Sequence, residues 1–426
     1  MKNRFYGSIA KVGLVFVVWV SVAHGVEKEK FQLIDTVKLS TTSINRLLLH
    51  PSGKILFVED VDGLKIVDIS DLDNPVVKGD IKTEERIGCF VLDSARNILF
   101  VGHQSTIDIF SIENPSKPLL VHTFKLETSK SNIISIGALS VATKKQILFV
   151  LEDKDIVMYD IKNLKEPKKM SILISGVYSL GVLDPAEKLF FSSEYGSKKS
   201  FVVMNLSDPK EIRLEKSKID VGIDVGEEER IAASPVIDQD KNLLYCGLIS
   251  GKIAVFDISD ISNFKRVGIF EAHHNASINL LISDSKRNRL FSVSATKEIK
   301  VWYMKDINKP VALQTLNLNE DLDEPVESIN SSNVVFDSAR NVLFLGVNNE
   351  IKILRSEKES FNSEERIIFL KSKKKREKEE QEIKKLREDL KEKETKLKEK
   401  TKSMKKKDDS WVNYFFGGIS SSSTED

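Results

Sequence analysis

Residues 47–75 read LLLHPSGKILFVEDVDGLKIVDISDLDNP. A short apolar run, 47–49, meets a polar turn with Pro51 and Gly53, then an apolar segment built on Leu56-Phe57. A second turn at 60–63 leads into an alternating run that ends in Asp68-Ile69-Ser70. Short apolar runs bounded by Gly, Pro, Asp and Asn are the pattern of strands joined by tight turns. Residues 91–118 (VLDSARNILFVGHQSTIDIFSIENPSKP) repeat this plan, and 335–355 (VFDSARNVLFLGVNNEIKILR) match the second copy almost word for word. A Leu-aromatic pair sets the register: Leu56-Phe57, Leu99-Phe100, Leu148-Phe149, Leu189-Phe190, Leu244-Tyr245, Leu290-Phe291 and Leu343-Phe344. These are seven copies spaced by 41 to 55 residues. Periods in the forties with three or four short strands per unit point to propeller blades. Helical repeats share the period, but here the segments alternate with period two and are rich in Val, Ile, Phe and Tyr, which fits strands.

The ends of the array imply how it closes. The last copy stops at 351–354 without a fourth strand, while residues 31–39 (FQLIDTVKL) form an orphan strand before the first copy. That strand is similar to the outer strands 76–81 and 311–318. An open array would leave strand edges free to pair non-specifically. The expected fold is therefore all-β, a seven-bladed β-propeller over 31–355 closed by the N-terminal strand and followed by a charged α-helical tail.

These residues resemble a WD-repeat-type propeller, and residues 63–70 (GLKIVDIS) resemble the LVIVD repeat of exported bacterial surface proteins. Copy six, 272–304, is the most WD-like, with His274 where that family's Gly-His histidine stands and Val301-Trp302 in place of its Trp-Asp. Most copies lack the Gly-His dipeptide, and Asp follows the last inner strand only at Asp68, Asp160 and Asp257. The resemblance implies blade number and a general role as a scaffold, and no particular activity.

Outside the repeats the composition changes. Lys2, Arg4 and Lys11 precede an apolar stretch at 12–22 and the small residues around 23–25, the pattern of an export signal over 1–25. The stretch is shorter than the roughly 20 residues that span a bilayer; an uncleaved membrane anchor is the alternative. The chain carries 65 basic and 64 acidic residues, yet 371–409 holds 18 basic against 11 acidic ones, so a mildly acidic body is joined to a basic tail. That balance argues against nucleic acid as a partner. Residues 356–370 read as a linker and 371–409 as a charged single helix or weak coiled coil, since Lys393 and Lys400 interrupt the apolar seam. The end, 410–426, clusters Trp411, Tyr414, Phe415 and Phe416 before a Ser-rich terminus. The cluster is read as a docking peptide for a protein partner or for peripheral membrane contact, on a monomer or weak coiled-coil oligomer.

No G-x-S-x-G, H-E-x-x-H, C-x-x-C or phosphate-binding glycine loop occurs, and no cofactor or metal is expected. Cys89 and Cys246 fall three blades apart and read as core residues. The acidic runs at 59–62 and 152–155 lack calcium-loop spacing and read as solvated turns. Asn205, Asn275 and Asn330 lie in glycosylation sequons, relevant only to a secreted eukaryotic chain. The two longest inserts, 221–231 and 317–330, lead into the innermost strands of blades five and seven. Their acidic residues Glu227, Glu228, Glu229, Asp321, Asp323 and Glu324, with the tail aromatics, are the candidate partner-binding residues, because loops on a rigid scaffold concentrate binding groups. The expected function is a non-catalytic scaffold for protein partners outside the cytoplasm. The competing expectations are a propeller enzyme, lactonase-like or oxidoreductase, which needs polar ligands in the central channel, and an intracellular WD-repeat scaffold.

Overall fold

A computed structural model describes residues 29–39, 43–126, 136–175, 181–193, 201–207, 218–219, 230–260, 264–320, 322, 332–358 and 393. Strand β1 (Glu29–Lys38) comes first. Blade one is β2 (Arg46–Leu49), β3 (Ile55–Asp60), β4 (Gly63–Asp68) and β5 (Val76–Lys82). Blade two is β6 (Cys89–Asp93), β7 (Ile98–Gly102), β8 (Thr106–Ser111) and β9 (Leu119–Lys125). Blade three is β10 (Ile136–Ala142), β11 (Ile147–Glu152), β12 (Asp155–Asp160) and β13 (Lys168–Ser175). Blade four is β14 (Val182–Leu183), β15 (Leu189–Ser193), β16 (Phe201–Asn205) and β17 (Lys218–Ile219). Blade five is β18 (Val236–Asp238), β19 (Leu243–Gly247), β20 (Lys252–Asp257) and β21 (Lys265–Glu271). Blade six is β22 (Ile278–Asp284), β23 (Arg289–Ser294), β24 (Glu298–Tyr303) and β25 (Val311–Asn317). Blade seven holds β26 (Val334–Asp337), β27 (Val342–Val347) and β28 (Glu350–Lys358).

Each blade is a four-stranded antiparallel sheet, and the seventh runs β1-β28-β27-β26. The N-terminal strand thus completes the last blade, as the orphan strand implied. Its pairing with β28 is longer than the sequence suggests: Glu29 faces Lys358 and Phe31 faces Ser356, so the third strand of blade seven continues past Arg355. A shared irregularity shows that β1 is a genuine outer strand. In β5, β9, β21 and β25 one residue (Lys78, Val121, Val267 and Leu313) is left out of the ladder against the third strand. Strand β1 omits Ile34 at the same place. Such bulges increase local twist, which bends these five outer strands alike.

The apolar core lies between blades. Seven clusters each join residues of adjacent blades around the ring, for example Phe57, Leu64 and Ile66 with Leu99, Val101 and Ile112. The second strands of blades two, three, five, six and seven are buried along their whole length. Blade four corrects the sequence register. Val182 pairs with Phe191, as Val91 pairs with Phe100, so the equivalent pair there is Phe190-Phe191 rather than Leu189-Phe190. A shift of one residue exchanges the faces of a strand. Accordingly Phe190 packs toward blade three and Phe191 toward blade five.

The first hairpin of each blade carries its own chemistry. Asn97, Gln146, Asn242, Asn288 and Asn341 occupy the left-handed region at one repeated position, which Asn tolerates better than most residues. In four blades an Asp four residues earlier clamps the turn. Asp93 accepts the Arg96 side chain at 2.7 Å and Asp337 that of Arg340 at 2.6 Å, while Lys241 lies 3.5 Å from Asp238. Each cation also donates to a carbonyl of the next blade: Arg96 to Ile161 at 2.8 Å, Lys241 to Met304 at 3.0 Å and Arg340 to Ile69 at 2.5 Å. Blade six does the same through Arg287, which donates to Ser338 of blade seven at 2.8 Å. The Asp-x-x-Arg-Asn motif therefore holds neighbouring blades together.

The two thiols are free and buried. Burial pushes Cys89 up to about 12 and Cys246 higher still, so neither supplies thiolate at neutral pH. A water-soluble thiol reagent is expected to label neither in the native protein at pH 8 and both after denaturation. Rapid native labelling at either site contradicts the packing.

Candidate binding face

Because strands alternate in direction, every connection from a fourth strand to the next blade's first strand lies on one face, together with the turns between second and third strands. The two acidic inserts belong to connections of this kind, between β17 and β18 and between β25 and β26. Residues Glu227, Glu228, Glu229, Asp321, Asp323 and Glu324 lie outside the described residues, as do Trp411, Tyr414, Phe415, Phe416, the export signal and the charged tail. Their anchors are described. Ile231 bridges Leu248, and Ala232 donates to Gly247 at 2.8 Å, tying the end of the first insert to blade five. Leu318 and Leu322 are buried between blades six and seven at the start of the second. The insert re-emerges at Ser332, whose carbonyl accepts from Leu47 of blade one at 2.7 Å.

Between the anchors the inner rim of this face is packed. Gly247 and Gly346 leave room for the isoleucine that opens the next blade; an added Cβ would lie 2.7 Å from Ile278 and Ile44 respectively. In blade one Glu59 stands at this place, three residues after Leu56 as Gly346 is after Leu343. Its carboxyl is 3.8 Å from Arg46, and burial, opposed by Arg46 and Arg86, holds it above the usual carboxylate range. Arg46 donates to the Gly88 carbonyl at 3.2 Å and lies over the Phe90 ring. The acidic turns are internally paired: Asp60 with Lys65, and Glu152 with the Tyr159 hydroxyl, which donates to it at 2.6 Å. Among the described residues no three His, Cys, Asp or Glu side chains gather as metal ligands.

Blade six shows which histidine matters. His274 is exposed and pairs with Glu271, so it is not the structural residue expected at this turn. His273 is, with 1 % exposure. Trp302 Nε1 donates to Ser292 Oγ at 2.9 Å, and Ser292 Oγ lies 2.8 Å from His273 Nε2. His273 Nδ1 lies 3.3 Å from Glu298 Oε2. This Ser-His-Glu chain has the order of a hydrolytic triad, but Ser292 is fully buried and its oxygen accepts from Trp302. Burial, partly offset by Glu298, lowers the His273 imidazole below its usual range. Unfolding returns it to about 6.5, so the unfolded chain binds the extra proton on acidification. The stabilisation is then full above that pH and is lost as pH falls. His273→Ala is expected to cost about 1–3 kcal/mol at pH 7.5. It should also flatten the fall in denaturant midpoint between about pH 7 and 5; a variant as pH-sensitive as the parent contradicts the assignment.

On the opposite face, the turns after the third strands explain the Asp that ends three of those strands. Asp68, Asp160 and Asp257 each accept a backbone N–H two residues on, at 2.9 Å from Ser70, Lys162 and Ser259. These bonds hold the three carboxyls below the usual range. Asp71 and Asn114 form further turns of the same kind ahead of the fourth strands.

Fold and site together define a seven-bladed β-propeller whose inner strands are packed blade against blade. More particularly, residues 50–83, which run from the first hairpin of blade one through β5, match the family model of the LVIVD repeat. No curated protein matches the chain.

Proposed function

We propose that the chain is an exported, non-catalytic propeller that docks protein partners on the face bearing its two acidic inserts, with the C-terminal segment as tether. The observation that carries this reading is that both inserts are anchored in the ring beside packed inner strands. Ile231 and Leu322 fix them to a scaffold whose blades are bonded to one another. Binding residues concentrate on loops carried by a rigid scaffold. The Trp302-Ser292-His273-Glu298 chain supports the WD-like reading of blade six, and the export pattern at 1–25 supports a place outside the cytoplasm.

The test is capture of partners from cell-surface and extracellular fractions by three proteins: the intact chain, a variant with Glu227, Glu228 and Glu229 changed to Lys, and a chain truncated at Lys407. Capture lost in the charge variant with unchanged melting supports the face; recruitment lost on truncation supports the tether. Turnover of a lactone or ester panel, or a mature N-terminus upstream of Val26, counts against the reading.

A further inference from the structure

We propose that Glu59 is a proton switch at the joint between blades one and two. Acidification neutralises it before the exposed carboxylates of the protein, and the inner rim of the face that carries the blade-to-blade connections then gains one positive charge. This goes beyond the reading of the propeller as a binding platform and does not depend on it. The slot that Glu59 fills is given to glycine in three other blades, as Gly102, Gly247 and Gly346. The joint can therefore be built without a carboxyl. Placing one there is costly, because a buried charge that lacks hydrogen bonds is unfavourable. Glu59 is 5 % exposed, and among the described residues its Oε2 has no hydrogen-bond partner.

Two cations oppose that cost without removing it. Arg46 stands directly across the ladder on β2, yet its Nε is 3.8 Å from the carboxyl, beyond hydrogen-bond reach. Its guanidinium is committed elsewhere, donating to the Gly88 carbonyl at 3.2 Å and lying 5.5 Å from the centre of the Phe90 ring. Arg86, on the connection from β5 to β6, is exposed, so water screens its charge. Asp60, next on the strand, is paired with Lys65 and adds a weak like charge. Cys89 of β6 is a neutral thiol at this place. Burial outweighs the two arginines and holds the Glu59 carboxyl above the usual carboxylate range.

Proton uptake leaves Arg46, whose side chain is 27 % exposed, and the exposed Arg86 without this counter-charge. Unfolding returns Glu59 to its ordinary value of 4.5, so the folded protein takes up the proton first as pH falls. Folding gains stability from that proton as pH drops through the folded-state value, the reverse of the behaviour at His273.

The experiment uses the full chain labelled with carboxyl-13C glutamate and followed by NMR over a pH titration. The Glu59 signal, identified by its loss in Glu59→Gln, should titrate at higher pH than those of exposed Glu84 and Glu85. In Arg46→Gln it should move up by about one pH unit more. Titration together with or below the exposed carboxylates overturns the proposal, as does a Glu59 signal that Arg46→Gln leaves in place. Melting supplies a second readout that needs only Glu59→Gln. Between pH 7.5 and 4.5 the melting temperature of this variant relative to the parent should fall by about 2 °C or more, since the parent alone gains the proton. Both proteins keep His273, so its own pH dependence cancels. A difference that stays constant with pH overturns the switch even if Arg46→Gln does not fold. Either failure leaves the capture experiment untouched.

Discussion

Deletion of residues 31–39 is expected to lower the melting temperature by on the order of 10 °C or more, because a ring loses its closure. Phe31 and Leu39 are buried, and Leu33, Ile34 and Val37 pack partly buried against the clusters on either side of blade seven. At about 1.5–3 kcal/mol for each fully buried large side chain, the strand contributes about 5 kcal/mol or more. The deletion also strips β28 of seven of its nine residue pairs with this strand. Phe31 concentrates this effect. Its ring meets Phe291 edge-on at 5.5 Å and Phe336 at 6.2 Å, with the Arg289 guanidinium 5.5 Å from its centroid. Phe31→Ala alone should cost about 3–5 kcal/mol. A synthetic peptide of residues 29–39 added in trans should restore much of the lost melting temperature. An unchanged melt on deletion means that the ring closes without this strand.

The second large effect is expected at Asp284. Its side chain is fully buried and accepts from Arg289, 2.7 Å away, from Ser338 Oγ at 2.8 Å and from Arg287 at 3.3 Å. Arg289 is itself buried, bonded to Asn341 and enclosed by Phe31, Phe291 and Phe336. Removing one member of a buried ion pair leaves a charge without its counter-charge, which costs about 3–5 kcal/mol, whereas replacing both by apolar groups is often close to neutral. Asp284→Ala should therefore fall in that range by denaturant unfolding, and Asp284→Leu combined with Arg289→Met should recover a substantial part. Because Arg289 lies on the ring of Phe31, the single variant should also make the proteolysis of the N-terminal strand faster. A loss below about 1 kcal/mol would show that the aromatic rings and Asn341 suffice for Arg289.

Much of the ring was legible because its units are short-range patterns. Leu-aromatic pairs mark the buried second strands of six blades, and the orphan strand at 31–39 has the alternation of an outer strand. The misreadings have local causes. In blade four the hairpin from Asp184 to Leu189 is as long as that from Asp93 to Ile98, so Leu189 stands at the Ile98 position and Phe191, not Phe190, takes the aromatic position. Counting back from Ile278 selected His274, but the ladder slips between Ile278 and Leu280, and the buried partner of Ser292 is His273. The repeated Asp-x-x-Arg-Asn was visible as a motif. Its role was not, since Arg96 and Arg340 reach carbonyls 65 and 271 residues away. The exposed pair Leu119-Leu120 reads in the sequence like any strand start; only the sheet order shows that it faces outward at an edge.

Amide hydrogen exchange of the intact chain tests the closed ring most directly. If β1 is the fourth strand of blade seven, the paired amides of 31–37 should exchange as slowly as those of β28 and β27, and only through unfolding of the whole ring. Exchange of β1 at the rate of a free peptide, with β27 and β28 still protected, would contradict closure by the N-terminal strand.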